Sequence, residues 1–135
     1  MGPGDVIIGR PLLDFLRRDC EMRRPEEACG LLVGRFRDDR VQVSDVMPVR
    51  NQSMSAMRFS IDPVEMFKAL KKVEGAGETI VGVYHSHPRS VEPSATDVSY
   101  MKDTSYVWLI VEACGRIGAF AYEDGSVKEV PLKTG

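Results

Sequence analysis

No run in the sequence approaches the about 18 consecutive apolar residues of a membrane span, so a spanning helix is excluded. The N-terminal stretch MGPGDVIIGRP lacks the basic and apolar regions of a secretory signal, and a cytoplasmic location is expected. Cysteine is scarce. Cys20, Cys29 and Cys114 form an odd set without CxxC spacing, which argues against a disulfide framework or a cysteine-rich zinc site, although one bridge stays open. Charge of one sign is missing too. With 18 basic and 20 acidic residues the formal net charge is −2, so no global basic field exists to hold a phosphate backbone. Arginine does cluster at Arg17, Arg18, Arg23 and Arg24, a pattern expected of a solvated helix end that an acidic partner could use. Nucleic acid is not expected as a partner. Histidine is scarce, with two in 135 residues, and those two, His85 and His87, are one residue apart.

What is present is a chain of one-domain length, residues 1–135, with 43% hydrophobic and 28% charged residues. Its apolar pattern alternates between helical and strand periods, so a mixed α/β unit with helices flanking a sheet is predicted. Pro11 suits a first helical turn, and Leu12, Leu13, Leu16 and Cys20 follow at helical spacing. ACGLLVGRF and RVQVSDVMPVRN read as paired strands around Arg37-Asp38-Asp39, and MRFSI as a brief third. Asp62-Pro63-Val64-Glu65 has the features of a helix start, with Met66, Phe67, Leu70 and Val73 as one apolar face and a stop near Gly75. ETIVGVYHSH is nearly continuous in its apolar character, as in a strand buried on both faces. Pro93-Ser94-Ala95-Thr96-Asp97 resembles a third helix start. YVWLIV, RIGAFAY and SVKEVPL read as closing strands, the last two joined through Glu123-Asp124-Gly125.

The strand period gives the histidines a purpose. Residues i and i+2 face the same side, so His85 and His87 can present two imidazoles to one point. Two imidazoles suggest a metal. A catalytic zinc commonly takes three protein ligands and keeps a position for water, and Asp97, in the first turn of a helix that follows a proline-containing loop, is the candidate third. Ser94, one turn earlier, could donate a hydrogen bond to an oxygen gaining negative charge. Ser94 and Asp97 also match a helix capping box, and position alone does not separate the two roles. Amide hydrolysis further needs a group to carry a proton to the leaving amine. Glu26 and Glu27, just before an apolar strand, can supply it if that strand neighbours the histidine strand.

Glu27 with ACGLLVG, then His85-Ser86-His87-Pro88, Ser94 and Asp97, resembles the JAMM, or MPN-plus, metalloprotease signature E…H-S/T-H-P…S-x-x-D. The resemblance covers nearly the whole chain. It implies a single MPN/JAMM-like domain, a mixed β-sheet flanked by helices and cytidine-deaminase-like, and a zinc-dependent peptidase that cuts after the C-terminal glycines of ubiquitin-like modifiers. It also implies roles: Glu27 as general acid/base, Ser94 as oxyanion-side hydroxyl, and His85, His87 and Asp97 as Zn2+ ligands. Glu27 is preferred over Glu26 because the family's glutamate stands two residues before the cysteine-glycine pair, here Cys29-Gly30. Cys29 itself reads as a core residue, since this mechanism needs no sulfur nucleophile.

Within that family the chain lacks the long second insertion with extra zinc ligands, because DTSYVWLIVEACGRIGAF passes almost directly between strands. A compact, prokaryotic-type member is expected. Its implied partner is a ubiquitin-like modifier and its conjugates, or alternatively a ubiquitin-fold sulfur-carrier protein processed in cysteine or thiamine biosynthesis, with a homodimer left open. The polar Asn51 to Met57 loop matches in position a loop that family members use beside the substrate tail. A non-catalytic MPN scaffold would be expected to have lost motif residues, and none is missing. A RadC-like DNA-repair protein would resemble the motif only loosely.

Overall fold

Strand residues from Ile80 to Ser86 are all buried, which only a sheet covered on both faces permits. The structure, a computed structural model, describes residues 3–51, 62–88, 90–102 and 104–135. Its elements are β1 (Asp5–Ile8), α1 (Arg10–Arg23), β2 (Cys29–Arg37), β3 (Arg40–Val49), α2 (Pro63–Gly75), β4 (Thr79–His87), α3 (Ala95–Met101), β5 (Val107–Glu112), β6 (Ile117–Glu123), β7 (Ser126–Glu129) and β8 (Leu132–Lys133). The strands form one mixed sheet in the order β7-β6-β5-β4-β2-β3-β1-β8. β4 lies antiparallel to β2 and parallel to β5.

Two apolar clusters mark the faces. Leu13, Leu16 and Cys20 of α1 pack with Leu32, Tyr84, Leu109 and Val111 on one side. Ala69 and Val73 of α2 and Met101 of α3 pack with Leu31, Val83, Trp108 and Ile110 on the other. β4 does not alternate strictly between these faces. Its register against β2 jumps from Gly82 opposite Leu32 to Ile80 opposite Val33, so Val81 is an extra residue. Ile80 and Val83 consequently share the α2–α3 face, while Val81 and Tyr84 share the α1 face. This β-bulge resets the side-chain phase of everything after it. It turns His85 and His87 toward the face that carries α3.

The predicted elements are present, with local differences. The turn between β6 and β7 places Asp124 at φ 52° and Gly125 at φ 82°, the left-handed pair that a two-residue hairpin requires. SVKEVPL divides into β7 and the two-residue β8, because the ladder with β6 ends at Glu129 and β8 joins β1 instead. β1 is an addition: it pairs in parallel with β3, a long-range partnership that four residues of local pattern do not announce. Phe67 is 59% exposed, whereas Ala69 and Val73 carry the buried face of α2. The brief MRFSI strand lies outside the described residues.

Candidate metal centre

The β2–β4 ladder places Cys29 opposite His85, so Glu27, two residues upstream, stands at the C-terminal end of the histidine strand. His85 and His87 face the same side with ring centroids 4.6 Å apart. α3 closes the site. Its N-cap Ser94 accepts from the Asp97 N–H at 3.1 Å, and the Ser94 N–H donates to Asp97 Oδ2 at 2.9 Å, a full capping box. The same Oδ2 lies 3.4 Å from His85 Nε2 and 3.1 Å from His87 Nε2. Capping and presentation toward the imidazoles are therefore simultaneous properties of Asp97.

Those separations suit a metal. Ligands about 2.0–2.1 Å from a tetrahedral ion sit roughly 3.3 Å from one another. Glu27, His85 and His87 also bring ligand atoms within 4.8 Å of one another, so either carboxylate could complete a three-ligand set. Hydrogen bonding separates them. Glu27 Oε1 is 2.9 Å from His85 Nδ1, the contact by which an outer carboxylate fixes an imidazole tautomer and leaves Nε2 to bind metal, whereas Asp97 approaches both Nε2 atoms. Imidazole and carboxylate are donor types that zinc accepts, so the residues gathered here fit such a cation.

Electrostatics agree with a cation site. Burial opposes charge on His85, but hydrogen bonds to Asp97 and Glu27 outweigh it and hold the imidazole above its ordinary pKa. Burial pushes the Asp97 carboxyl up, yet hydrogen bonds with His85 and His87 dominate and hold it well below the usual carboxylate range. Two carboxylates thus converge on one buried imidazole. Burial pushes the Cys29 and Cys20 thiols up to about 12, which leaves neither a nucleophile at neutral pH.

Glu26 and Glu27 separate clearly: Glu27 is 4% exposed and touches His85, while Glu26 is half-buried at the end of the α1 connection. Three further residues hold Glu27's segment. Asn51 Nδ2 donates to the Glu27 carbonyl at 2.8 Å, and Ser86 binds Ala28 twice, accepting from its N–H at 2.9 Å and donating its own N–H to its carbonyl at 3.0 Å. Arg23 donates to the Cys29 and Val49 carbonyls. Arg23 stood in the sequence only as part of a charge cluster, and Ser86 only as the middle of the histidine motif. Asn51 appeared as the start of a loop whose remaining residues, 52–57, lie outside the described ones; its position directly after a strand end was the available signal.

Two imidazoles and two carboxylates buried at the end of a mixed sheet make the architecture of a metal-dependent hydrolase. The family model for prokaryotic homologues of the JAB domain matches residues 9–123, and the chain belongs to that family, whose members carry JAMM-type chemistry. It is 36% identical over 123 residues to the desampylase of Haloferax volcanii, covering 90% of this chain and 87% of that one. It is 27% identical over 132 residues to the CysO-cysteine peptidase of Mycobacterium tuberculosis, covering 94% and 89%. A solved protein of Desulfitobacterium hafniense superposes with TM-score 0.86 at 29% identity, over 96% of this chain and 92% of that one. A JAB1/MPN domain protein of Archaeoglobus fulgidus shares the fold with TM-score 0.61 at 19% identity over the full length of both.

Proposed function

We propose that this chain is a zinc-dependent isopeptidase that removes a ubiquitin-like modifier from conjugated proteins by hydrolysing the bond after the modifier's C-terminal glycines. The observation that carries the reading is the single Asp97 oxygen shared between the Nε2 atoms of His85 and His87, with Glu27 on the remaining nitrogen of His85. His85, His87 and Asp97 would hold the zinc, which when bound supplies a Lewis acid and a water activated near neutral pH. Glu27 takes the proton of the attacking water; its second carboxylate oxygen makes no hydrogen bond among the described residues. It then hands that proton to the departing nitrogen as the C–N bond breaks. Ser94 Oγ already accepts from Asp97 N–H, which leaves its hydroxyl proton to donate to the oxygen that gains charge.

Residues 1–135 form one cytoplasmic domain on this reading; no helix of the described residues is long and apolar enough to cross a membrane. The test is incubation of zinc-loaded protein with ubiquitin-like fusions and conjugates from its own genome, read by intact mass, with cleavage after the glycine pair expected and its absence on every such substrate overturning the reading. A second reading, processing of a ubiquitin-fold sulfur carrier, is favoured by the similarity to the CysO-cysteine peptidase. Release of a single amino acid from such a carrier, in preference to lysine-linked conjugates, would select it.

A further inference from the structure

Along α1 the buried stripe of Leu13, Leu16 and Cys20 is continued by two charged residues, Asp19 and Arg23, whose side chains are only 14% and 24% exposed. Ionic groups on an apolar stripe cost stability unless partners are supplied. The partners here belong to the strands that deliver the site. Arg23 Nη2 donates to Asp19 Oδ2 at 3.0 Å and to the Cys29 carbonyl, and Nη1 donates to the Val49 carbonyl. The same Asp19 Oδ2 accepts from the Tyr84 hydroxyl at 2.8 Å. We infer that Tyr84, Asp19 and Arg23 form a positioning cluster that sets the Glu27 carboxylate against His85; the inference rests on the reading of Glu27 as acid/base given above.

The strand registers carry the placement. Cys29 begins β2 and Val49 ends β3; the two are paired with each other, and Cys29 is also paired with His85. The guanidinium therefore fastens the last rung of the β2–β3 ladder. Two residues beyond that rung stand Glu27 on one strand and Asn51 on the other, joined by the Asn51 side chain on the Glu27 carbonyl. Tyr84 ties in the third strand, since it immediately precedes His85 on β4. Its ring lies against Gly30, where a Cβ would collide with both the ring and the Met47 carbonyl oxygen. The missing side chain at Gly30 is what gives the tyrosine its path.

One cluster thus holds β2, β3 and β4 at the points where they lead to Glu27, Asn51 and His85. Tyr84 packs on the α1 face, whereas His85 stacks edge-on with Trp108 on the other. The cluster touches none of the reacting groups and acts through the backbone. What it sets is the 2.9 Å contact between Glu27 Oε1 and His85 Nδ1. Proton transfer tolerates little misplacement, since a displacement of about 1 Å can cost roughly 10²-fold in rate. Lysine cannot replace Arg23 in this role, because a single ammonium lacks the planar fork that spans two carbonyls and a carboxylate.

The test is a double-mutant cycle on the zinc-loaded protein, read as the saturating single-turnover rate on a glycine-tailed fusion. Arg23→Lys and Tyr84→Phe should each lower that rate by about tenfold, with the half-saturating concentration and zinc content unchanged. In a Glu27→Gln background each should change it by about twofold or less, because the carboxylate being positioned is gone. A cluster that only stabilises the fold would lower both backgrounds alike, and that result overturns the inference. Tyr84→Phe removes a single hydroxyl, so the cycle remains readable if Arg23→Lys does not fold. A second readout needs no catalysis. The chain has two histidines, so the His85 Nδ1–H proton can be assigned in 15N-histidine-labelled protein by its response to Glu27→Gln. In Arg23→Lys and Tyr84→Phe this proton should move upfield and exchange faster with solvent, as for a lengthened hydrogen bond. In Leu13→Val, which thins the core at the other end of α1, it should stay in place. An unmoved proton in the first two variants, or an equal shift in Leu13→Val, overturns the inference. If Glu27→Gln leaves catalysis intact, the acid/base reading fails, and the proton signal alone decides whether the cluster holds Glu27 to His85.

Discussion

Glu26 and Glu27 are chain neighbours, yet only Glu27 reaches His85, because the β2–β4 register fixes which of the two points into the sheet end. The proposed assignment therefore predicts an asymmetric pair. Glu27→Gln should retain zinc and lose about 10²-fold or more in kcat, the usual scale of general acid–base chemistry, while Glu26→Gln stays close to the parent in single-turnover assays on a glycine-tailed fusion. The reverse result would shift the motif by one residue. The i,i+2 geometry of the histidines was legible from strand period alone, but the choice between the glutamates came from the family pattern. Local sequence could not supply it, since burial of Glu27 depends on a partner strand about fifty residues away.

His85 also predicts a pH dependence. Its pKa in the metal-free fold is raised above the ordinary value of about 6.5, so the proton on it competes with metal over a range that extends above that value. Asp97 remains ionised throughout this window because its pKa is lowered. Apparent zinc affinity, measured by chelator competition, should fall as pH drops through the raised pKa, by about tenfold per unit if one proton is exchanged. The stability of the metal-free protein runs the other way: the contribution of a raised histidine pKa is fully present below the unfolded pKa and is lost as pH rises through the folded one. Zinc affinity that is flat from neutral pH downward would refute the tautomer and ligand assignment.

At the scale of elements, the bulge at Val81 determines which face receives the histidines, and Gly82 next to it lets β4 lie close against β5. A Cβ at Gly82 would collide with the Val107 carbonyl oxygen of β5, so Gly82→Ala forces β4 and β5 apart. A loss of about 1–3 kcal/mol is expected in denaturant unfolding, with weaker zinc binding because His85 and His87 follow on the displaced strand. The strand itself was plain in its apolar run, but the bulge was not, since it arises from pairing with β2 and not from the run. β1 escaped for the same reason, as did the division of SVKEVPL into β7 and β8: each depends on a distant partner.

The connection after β3 contributes through Asn51, which ties that strand's end to the backbone of Glu27. Asn51→Ala removes the donor while leaving every proposed ligand in place. The expected outcome is a fall in kcat of about tenfold with KM and zinc content nearly unchanged, because the carboxylate is less well held. A change confined to KM, or a loss of activity that only follows a loss of Tm, would show that Asn51 does not position Glu27.

For the molecule as a whole, the site is assembled from residues 27, 85, 87 and 97, which only the complete sheet and α3 bring together. Glu27 and Asp97 are each 4% exposed and His85 is 0% exposed, whereas His87 keeps 13% of its side chain open. On the proposed reading, a scissile carbonyl therefore approaches the cluster from the side on which His87 is open. Glycine next to that carbonyl adds no side chain and lets the tail backbone come closer to the cluster than a residue with a Cβ. An enzyme built this way accepts many conjugated proteins and discriminates on the modifier's tail. Replacing the modifier's terminal glycines with valine should lower kcat/KM by about tenfold or more in a mass-spectrometric cleavage assay, with zinc content unaffected. Shortening the loop that begins at Asn51, whose residues 52–61 lie outside the described ones, should act on the same parameter if that loop holds the tail as an added strand. Equal cleavage of valine and glycine tails would mean that access past His87 does not control specificity, even if the metal chemistry holds.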